Sequence, residues 1–537
     1  MATTTTTTSR ALALVLLLCA VSPCCLAAVD AGGKAKGPTP SKDDFLSCLA
    51  KDIPPKLLYA KGSPSYSSVL VSTIRNLRYL SFKTVNPVYI VTPTEIAHIK
   101  NTVLCGRRYN IRIRVRSGGH DYEGLSYRSE SPEPFAIVDL NLMRSVRVDG
   151  KSRTAWVESG AQLGDLYYEI SKASPKLAFP AGVCPTIGVG GHFSGGGFGM
   201  LLRKYGVAAD NVIDAKLVDA NGKTQDRKSM GEDHFWAIRG GGGESFGIVV
   251  SWKVNLLPVP PTVTVFQIPK TLNEGAIDLL TKWQELAPAL PDDLMIRVMA
   301  QGQKAVFEAL YLGTCTTLVP LMKTRFPELA MNASHCNEMP WVQSIAYIHL
   351  GKNATVKDIL NRTSSIRAFG KYKSDYVSKP IAKPVWETIY RDWFSKPGAG
   401  IMIMDPYGAT ISALNETTTP FPHRKNVLYN IQYITFWFGD GAPSVMPIKW
   451  IRDFYAFMEP YVTKNPRQAY VNYRDLDLGV NKVPAGSNVT SYIAGKAWGE
   501  RYFKGNFEKL AITKGKVDPT DYFRNEQSIP PLLTMVA

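Results

Sequence analysis

The sequence predicts an α+β fold, and three segments of the 537-residue chain carry that prediction. Residues 111–116 (IRIRVR) alternate between apolar and basic side chains, which is typical of a strand with one polar face. Residues 146–157 are β-like and are interrupted by Asp149-Gly150, which indicates a hairpin. Residues 162–173 have the apolar spacing of a helix. The 45% hydrophobic and 20% charged residues are typical of a folded protein, and they exclude disorder and collagen.

The first 28 residues have the pattern of a secretory signal peptide. Arg10 is their only charged residue, an apolar run fills positions 11–20, and small residues follow at Ala27 and Ala28. The run is shorter than the roughly 20 residues that cross a bilayer, and no later apolar stretch approaches that length. We therefore expect a secreted, extracellular chain without a membrane span.

Removal of this signal peptide leaves five of the eight cysteines, an odd number. In an oxidising compartment the odd cysteine pairs between chains, stays free or takes part in chemistry. Spacing allows a local loop between Cys315 and Cys336 and a staple between Cys48 and Cys105. Cys184 is then the residue left over.

Five N-x-S/T sequons without proline favour passage through the secretory pathway. All of them follow residue 330, which predicts that the second half is rich in exposed loops. The sequon asparagines are Asn332, Asn353, Asn361, Asn415 and Asn488.

Further along the chain, Asn221-Gly222 predicts a second hairpin, and the proline-rich residues 256–261 predict a linker or an edge. Strands and helices alternate over 262–465, and the chain becomes polar and basic after Pro466.

Several common functional motifs are missing. The two G-K-S/T triplets lack the upstream glycine of a P-loop, and no G-x-G-x-x-G opens a helix after a strand. The metal signatures H-E-x-x-H and paired C-x-x-C are absent, as are nucleic-acid-binding modules. We therefore expect no metal centre and no nucleic-acid partner, although the net charge is +17.

Three glycine-rich clusters, at 117–124, 184–199 and 239–247, remain as candidate functional loops. Glycine allows close backbone approach and positive φ, so the N–H groups of such loops can converge on a pyrophosphate. The alternative is three tight turns at strand ends. His120 and Cys184 favour the functional interpretation, because each lies inside a glycine cluster where its side chain can meet a ligand.

At these clusters the sequence closely resembles the plant berberine bridge enzyme-like flavoproteins of the vanillyl-alcohol-oxidase/PCMH superfamily. The resemblance extends from about residue 43 to 531, and the segments 45–48 and 522–528 look most like the group 4 allergens of grass pollen. The motifs that carry it are R-x-R-S-G-G-H-D-Y-E-G at 114–124, G-V-C-P-T-I-G-V-G-G-H at 182–192 and N-Y-R-D-L-D-L-G at 472–479.

The resemblance implies a PCMH-type FAD-binding domain in two parts, with an inserted α+β substrate domain. After the signal peptide at 1–28, we expect the first FAD-binding part at 43–258. The substrate domain is expected at 259–465, and a C-terminal segment at 466–537 completes the FAD domain. We expect the protein to be a monomer.

The resemblance also implies that FAD is bound through two covalent bonds. His120 would bond the 8α-methyl carbon and Cys184 would bond C6 of the isoalloxazine, which suits an imidazole and a thiolate as nucleophiles. It further implies the disulfides Cys48–Cys105 and Cys315–Cys336, which leave no free thiol. The other cofactor-binding residues implied are Ser117, Gly118, Gly119, Gly188, Gly190, Gly191, His192, Gly247 and Asn525.

For catalysis the resemblance points to Tyr473, with Gln432 and Tyr122, as the residues that oxidise an alcohol by hydride transfer to flavin N5. A tyrosine has a pKa of about 10, so Tyr473 needs a nearby cation or hydrogen bonds to act as base. Many relatives supply a lysine where this chain has Asn430, so we expect that cation to be missing here; many also have a tyrosine where this chain has Phe198.

These two departures favour a carbohydrate alcohol as substrate over a phenolic, monolignol-type alcohol, which stays the alternative. A third possibility is a non-catalytic secreted flavoprotein that binds the cell wall. Ile187 matches a family position that controls oxygen access, where bulk beside the flavin predicts a dehydrogenase more than an oxidase. Loss of Arg10 lowers the net charge only to +16, so an acidic wall polysaccharide is the expected polyanionic partner.

Overall fold

The computed structural model describes residues 42–80, 84–363, 368–439 and 445–533, so the predicted signal peptide lies outside the described residues. Its strands are β1 Leu58–Ala60, β2 Tyr89–Val91, β3 Arg112–Arg116, β4 Phe135–Asp139, β5 Val146–Asp149, β6 Thr154–Glu158, β7 Leu177–Ala178, β8 Val212–Val218, β9 Thr224–Gln225, β10 Ile248–Asn255, β11 Leu257–Pro258, β12 Val263–Thr271, β13 Leu294–Gln301, β14 Lys304–Tyr311, β15 Asn337–Met339, β16 Phe369–Val377, β17 Ile401–Pro406 and β18 Tyr429–Trp437.

Helices lie between and around these strands, so the predicted α+β class is confirmed. They are α1 Lys42–Leu49, α2 Tyr66–Val71, α3 Ile96–Arg108, α4 Leu163–Ala173, α5 Val189–Ser194, α6 Leu202–Tyr205, α7 Arg227–Ile238, α8 Ala276–Leu286, α9 Cys315–Arg325, α10 Trp341–Leu350, α11 Lys383–Thr388, α12 Ala409–Ala413, α13 Val445–Met458, α14 Tyr492–Phe503 and α15 Asn506–Val517. Within the described part of the chain, no helix is long and apolar enough to cross a membrane.

The first half of the chain forms two sheets. One has the order β1-β2-β4-β3, with β4 parallel to both β2 and β3. The other is antiparallel with the order β5-β6-β10-β8-β9. The predicted hairpin at 146–157 is β5–β6, and the turn at Asn221-Gly222 joins β8 to β9. The proline-rich segment contains β11, which pairs with β7 in a separate, two-stranded sheet.

The alternating strand β3 does not turn its arginines to solvent. Arg114 and Arg116 are buried, Arg116 pairs with Asp139 at 2.6 Å, and Arg114 pairs with Glu526 at 2.9 Å. Buried guanidinium groups need such partners, because desolvation without a counter-charge is costly. The partner Glu526 comes from the C-terminal segment, so that segment packs against the first sheet of the chain.

The second half of the chain forms a seven-stranded antiparallel sheet with the order β15-β12-β14-β13-β17-β18-β16. Because side chains alternate along a strand, its two faces have different roles. On β18, Ile431 and Tyr433 point into a core with Trp283 of α8 and Phe454 of α13. Gln432, between them, faces a cavity on the other side. One sheet face therefore stabilises the fold and the other contributes to a site.

The structure contains the two disulfides that the family resemblance implies. Cys48–Cys105 joins α1 to α3, and Cys315–Cys336 closes a local loop at the start of α9. Among the described residues Cys184 is the free cysteine.

Candidate active site

A cavity of about 500 Å³ lies between the glycine-rich loops and the open face of the seven-stranded sheet. All three glycine clusters contribute to its wall, so they are more than separate tight turns. The predicted residues that line it are Ser117, Gly118, Gly119, His120, Tyr122, Cys184, Ile187, Gly188, Gly190, Gly191, His192, Phe198, Gly247, Gln432 and Tyr473.

Glycine is required where the first two loops meet. A Cβ atom on Gly118 would lie 2.3 Å from the Gly188 nitrogen, and one on Gly188 would lie 2.1 Å from the Gly118 nitrogen. The loops therefore touch backbone to backbone. At Gly191 a Cβ would meet nothing within 4 Å, which leaves open space at the cavity wall. This combination lets a ligand approach the main chain closely.

The two predicted attachment residues are linked through one hydroxyl group. Thr186 Oγ1 lies 2.9 Å from His120 Nε2 and 3.5 Å from Cys184 Sγ. Burial, together with the nearby Arg75 charge, lowers the pKa of His120 to about 3. His120 is therefore neutral at physiological pH, and only a neutral imidazole has a lone pair to form a bond to carbon.

His192 and Glu244 complete the loop wall. His192 Nε2 accepts a hydrogen bond from the Gly182 N–H at 3.0 Å, and burial lowers the pKa of its imidazole to about 4. Burial raises the pKa of the Glu244 carboxyl to about 7. Its two oxygens accept hydrogen bonds from the Val115 N–H at 2.8 Å and from Asn525 Nδ2 at 3.2 Å.

Asn525 was expected to contact the cofactor, but it does not line the cavity. Its amide instead holds Glu244, which does line it. The C-terminal segment therefore reaches this part of the wall through Glu244, a residue that the sequence analysis missed. Glu244 directly follows the four glycines at 240–243, so its glycine-rich surroundings were the available indication.

On the sheet side, aromatic rings stack across the cavity wall. Gln432 Nε2 donates a hydrogen bond to the Tyr122 hydroxyl. The Tyr122 ring stacks on Tyr372 with ring centroids 3.8 Å apart, and it faces Tyr473 at 5.7 Å. Phe198 packs edge-on against Tyr473 at 6.1 Å. The three residues predicted for catalysis are therefore neighbours.

Two charged residues that the sequence analysis missed, Arg297 and Asp405, lie beside Tyr473 and line the cavity. Burial, with the negative charge of Asp405, raises the pKa of Tyr473 well above its ordinary value, whereas Arg297 acts in the opposite direction. Burial also raises the pKa of Asp405 to about 6. Among the described residues, the Asp405 carboxyl makes no hydrogen bond or ion pair, so its oxygens can accept one from a ligand.

Strand register holds Arg297 in place. Arg297 on β13 is directly opposite Glu308 on β14, and its Nε donates to Glu308 Oε2 at 2.5 Å. Gln267, opposite Glu308 on β12, donates to its other oxygen. Glu308 thus fixes the Arg297 guanidinium, and Gln267 fixes Glu308. Because its position is fixed in advance, Arg297 loses little conformational freedom when it acts on Tyr473.

Asn430 corrects the expectation that this chain lacks a cation for the base. Asn430 does not line the cavity; it is buried, and its Nδ2 donates to the Asp375 carbonyl at 3.0 Å. Arg297, on another strand, places a positive charge beside Tyr473. The missing lysine therefore does not leave Tyr473 without a nearby cation.

Two hydroxyl groups in the wall have no partner among the described residues. Ser126 Oγ and Ser159 Oγ are buried, and both residues line the cavity. Buried polar groups are usually hydrogen-bonded, so these two are suited to meet a bound molecule. With the open glycine loops, the neutral His120 and the thiol of Cys184, the residues present fit a large polar cofactor such as FAD. No cluster of three or more His, Cys, Asp or Glu in the described ranges could hold a metal ion.

Comparison with protein families gives two matches. Residues 87–227 match the family model described as an FAD binding domain, and residues 469–530 match the model described as berberine and berberine like. The protein Berberine bridge enzyme-like Cyn d 4 of Cynodon dactylon is 69% identical over 521 residues, which cover 96% of this chain and 98% of that protein. The chain belongs to the berberine bridge enzyme-like family. Berberine bridge enzyme-like 27 of Arabidopsis thaliana is 46% identical, with 91% and 92% of the two chains covered.

Solved structures agree with this family. The Bermuda grass isoallergen BG60, a pollen group 4 allergen, superposes with a TM-score of 0.90 at 71% identity over 91% of this chain and all of that one. Phl p 4, described as a grass pollen allergen with glucose dehydrogenase activity, has the same TM-score and coverage at 69% identity. This berberine bridge enzyme-like chain is an FAD-dependent oxidoreductase that acts on CH–OH groups.

Proposed function

We propose that the protein is a secreted dehydrogenase that oxidises a hydroxyl group of a sugar, in the first place glucose, with FAD attached to both His120 and Cys184. The observation that carries the substrate proposal is the polar pair Arg297 and Asp405 beside Tyr473. An apolar, aromatic-alcohol site would not need an unpaired carboxyl in its wall. The 69% identity to Phl p 4, a glucose dehydrogenase, supports the same choice.

FAD, when bound, supplies the acceptor for the hydride. The groups proposed to hold it are His120 and Cys184 by covalent bonds and His192 and Glu244 by polar contact. A neutral imidazole and an activated thiol are the forms in which these side chains attack carbon. The backbone contact of Gly118 with Gly188 fixes the two attachment loops relative to each other.

Tyr473 is the residue proposed to take the proton of the substrate hydroxyl. Only its phenolate can take that proton, and burial raises the pKa of Tyr473 above the ordinary value of about 10, so the phenolate is the minor form at neutral pH. The positive charge of Arg297 lowers this pKa and so increases the fraction of phenolate that can take the proton. Gln432 and Tyr122, joined by their hydrogen bond, orient a substrate hydroxyl beside Tyr473. Asp405 accepts a hydrogen bond from a second hydroxyl, which a sugar has and a simple alcohol lacks.

Ile187 is proposed to limit the access of dioxygen. It lines the cavity three residues after Cys184. Phl p 4 is described as a glucose dehydrogenase, and a variant of it in which one isoleucine is replaced by valine is described as a glucose oxidase. Loss of one methyl group therefore changes the acceptor in a protein 69% identical to this one.

Secretion and the domain division also remain proposals. All five sequon asparagines are exposed, and two disulfides are present, as suits an extracellular protein. The pairing of Arg114 with Glu526 supports a FAD domain made of 43–258 and 466–537, with 259–465 inserted. A fall in apparent mass after N-glycosidase treatment of the secreted protein would support this route, and its absence would count against occupied sequons.

A substrate panel tests the proposed function. Turnover is measured with an artificial quinone-type acceptor and with glucose, other aldoses, aliphatic polyols and coniferyl alcohol. The stacked rings of Tyr122 and Tyr372 favour the phenolic alternative, so coniferyl alcohol is the decisive competitor. We expect the highest kcat/KM with an aldose. A higher value with coniferyl alcohol would replace the sugar proposal by the phenolic one.

A further inference from the structure

His349 lies next to the attachment cysteine, and the family motifs do not include it. It is in the last turn of α10, and it shares the wall of a small cavity with Pro185 and Thr186, the two residues that follow Cys184. Both His349 and Cys184 line the active-site cavity, where Cys184 would meet the cofactor. No step of the proposed alcohol oxidation uses His349.

A row of hydrogen-bonding groups joins the two attachment residues. His120 Nε2 meets Thr186 Oγ1 at 2.9 Å, and the same hydroxyl lies 3.5 Å from Cys184 Sγ. His349 borders the same cavity wall as Cys184 and Thr186. The two attachment residues are thus joined by Thr186, and His349 is a second imidazole that carries no proposed bond to the cofactor.

A second, smaller cavity of about 290 Å³ borders these residues. Thr186 and Asp358 contribute to its wall, and His349 borders both cavities. His349 is also accessible to solvent. A proton taken from Cys184 by the imidazole therefore has a route to water that does not pass through the substrate site.

We propose that His349 is a positioning residue for cofactor attachment: its imidazole accepts the thiol proton of Cys184 and holds the thiolate for bond formation to C6 of FAD. This inference rests on the proposed double attachment. The Cys184 sulfur forms a C–S bond to C6, and the hydrogen at C6 leaves as a proton. The electron pair of that C–H bond stays on the flavin until a two-electron acceptor such as dioxygen removes it.

The charges around the pair support this direction of proton transfer. Burial alone raises the pKa of the Cys184 thiol, but the nearby His349 imidazole, with help from Thr186, brings it below its ordinary value. Burial lowers the pKa of His349, and the nearby Cys184 sulfur outweighs this and raises it. Arg297 opposes and Glu308 favours the imidazolium. Thiolate, not thiol, is the nucleophile.

The test is alkylation of Cys184 in the secreted holoprotein. Because Cys48, Cys105, Cys315 and Cys336 are paired, iodoacetamide under denaturing, non-reducing conditions reports only an unattached Cys184 among the described cysteines. We expect no alkylated Cys184 peptide from the wild-type protein. His349→Gln should yield it in large amount, while the denatured protein stays yellow through His120. His335→Gln, a histidine outside both cavities, is the matched control and should behave like the wild type.

Kinetics separate proton transfer from mere packing. When purified His349→Gln is incubated in air, attachment should proceed slowly, and the fraction of Cys184 that iodoacetamide can label should fall. The rate of this fall should rise about tenfold per pH unit below a thiol pKa near 8.5. Added imidazole should accelerate the reaction in His349→Ala, since the smaller cavity can admit it. If His349→Gln is not secreted, the comparison of His349→Ala with and without added imidazole still tests the proposal.

Two outcomes would overturn the inference. If His349→Gln and His349→Ala are fully attached at Cys184 when secreted, the imidazole is not needed. If both are unattached but imidazole and higher pH change nothing, His349 acts only through packing. Alkylation of Cys184 in the wild-type protein would instead reject the double attachment itself, so the two failures are distinguishable.

Discussion

The two walls of the active-site cavity are built in opposite ways. The loop wall comes from residues close in sequence, such as His120 beside Gly118 and Gly119, and Cys184 just before Gly188. The sheet wall is assembled from single side chains on separate strands, each brought to the cavity by strand register. Local sequence motifs therefore build the loop wall, whereas pairing between strands that are distant in sequence builds the sheet wall.

The walls also differ in charge. On the loop wall, burial keeps His120 and His192 neutral, with pKa values near 3 and 4. On the sheet wall, Arg297 is held by Glu308 and lies beside Asp405. Neutral imidazoles suit covalent attachment through lone pairs, and the charged pair Arg297 and Asp405 suits proton movement and recognition of hydroxyl groups. Variants in each wall separate these two roles.

The largest effect is expected at Tyr473, where the walls meet. Tyr473→Phe removes the proposed proton acceptor and should lower kcat by about 10²–10⁴-fold, the usual contribution of a positioned acid or base. Cofactor attachment should not change, because it belongs to the loop wall. Turnover and visible absorbance of the denatured protein are measured together. Tyr461→Phe, outside the cavity, is the control, and equal turnover in both variants would exclude Tyr473 as base.

The next effect concerns Arg297. Its positive charge lowers the pKa of Tyr473, so Arg297→Met should raise that pKa and move the rise of kcat to higher pH. At neutral pH the rate should fall by about tenfold for each pH unit by which the profile moves. A full pH–rate profile checks this against Arg391→Met, an exposed arginine away from the cavity. A profile that stays in place would show that Arg297 does not act on the base.

Asp405→Asn should change the pH profile in the opposite direction. The carboxylate raises the pKa of Tyr473, so its neutral replacement should move the rise of kcat to lower pH. If Asp405 also binds a sugar hydroxyl, KM for glucose should increase by about tenfold, as for one charged hydrogen bond. An altered profile with an unchanged KM would leave Asp405 an electrostatic role only.

A smaller change is expected for oxygen access. Ile187→Val removes one methyl group from the loop wall and should speed reoxidation of the reduced enzyme by dioxygen several-fold, with hydride transfer from substrate unchanged. Stopped-flow reoxidation in air-saturated buffer measures the first rate, and anaerobic reduction measures the second. If reoxidation is no faster, the role assigned to position 187 is wrong.

How much the sequence could predict follows the same division. The strand β3, the hairpin β5–β6, and the loops with His120 and Cys184 were predictable, because each depends on neighbours in sequence. Arg297 and Asp405 were not, since an arginine within an apolar strand gives no indication of the strand opposite it.

Asn430 illustrates the same limit. Its substitution for lysine was visible in the sequence, but only the fold shows that the cavity obtains a cation from another strand. Asn525 was assigned to the cofactor from a motif, and the fold places it behind Glu244. The motif alone gave no indication of this contact with Glu244, and a direct contact of Asn525 with the cofactor stays a prediction.

The smallest effect concerns the surface and not the cavity. The net charge of +17, or +16 without Arg10, predicts weak retention on pectin that disappears as salt is added. A column of immobilised pectin eluted with a salt gradient measures this. Retention that does not depend on salt would argue against an electrostatic contact with acidic wall polysaccharide.

The central claim is that this cavity brings a sugar hydroxyl to a covalently held flavin. Anaerobic mixing of the holoprotein with glucose, followed at the flavin absorbance maximum, tests it most directly. The account predicts complete bleaching with saturating dependence on glucose, and much slower bleaching in Tyr473→Phe. Absorbance that stays unchanged with every aldose, while coniferyl alcohol bleaches the flavin, would contradict the account.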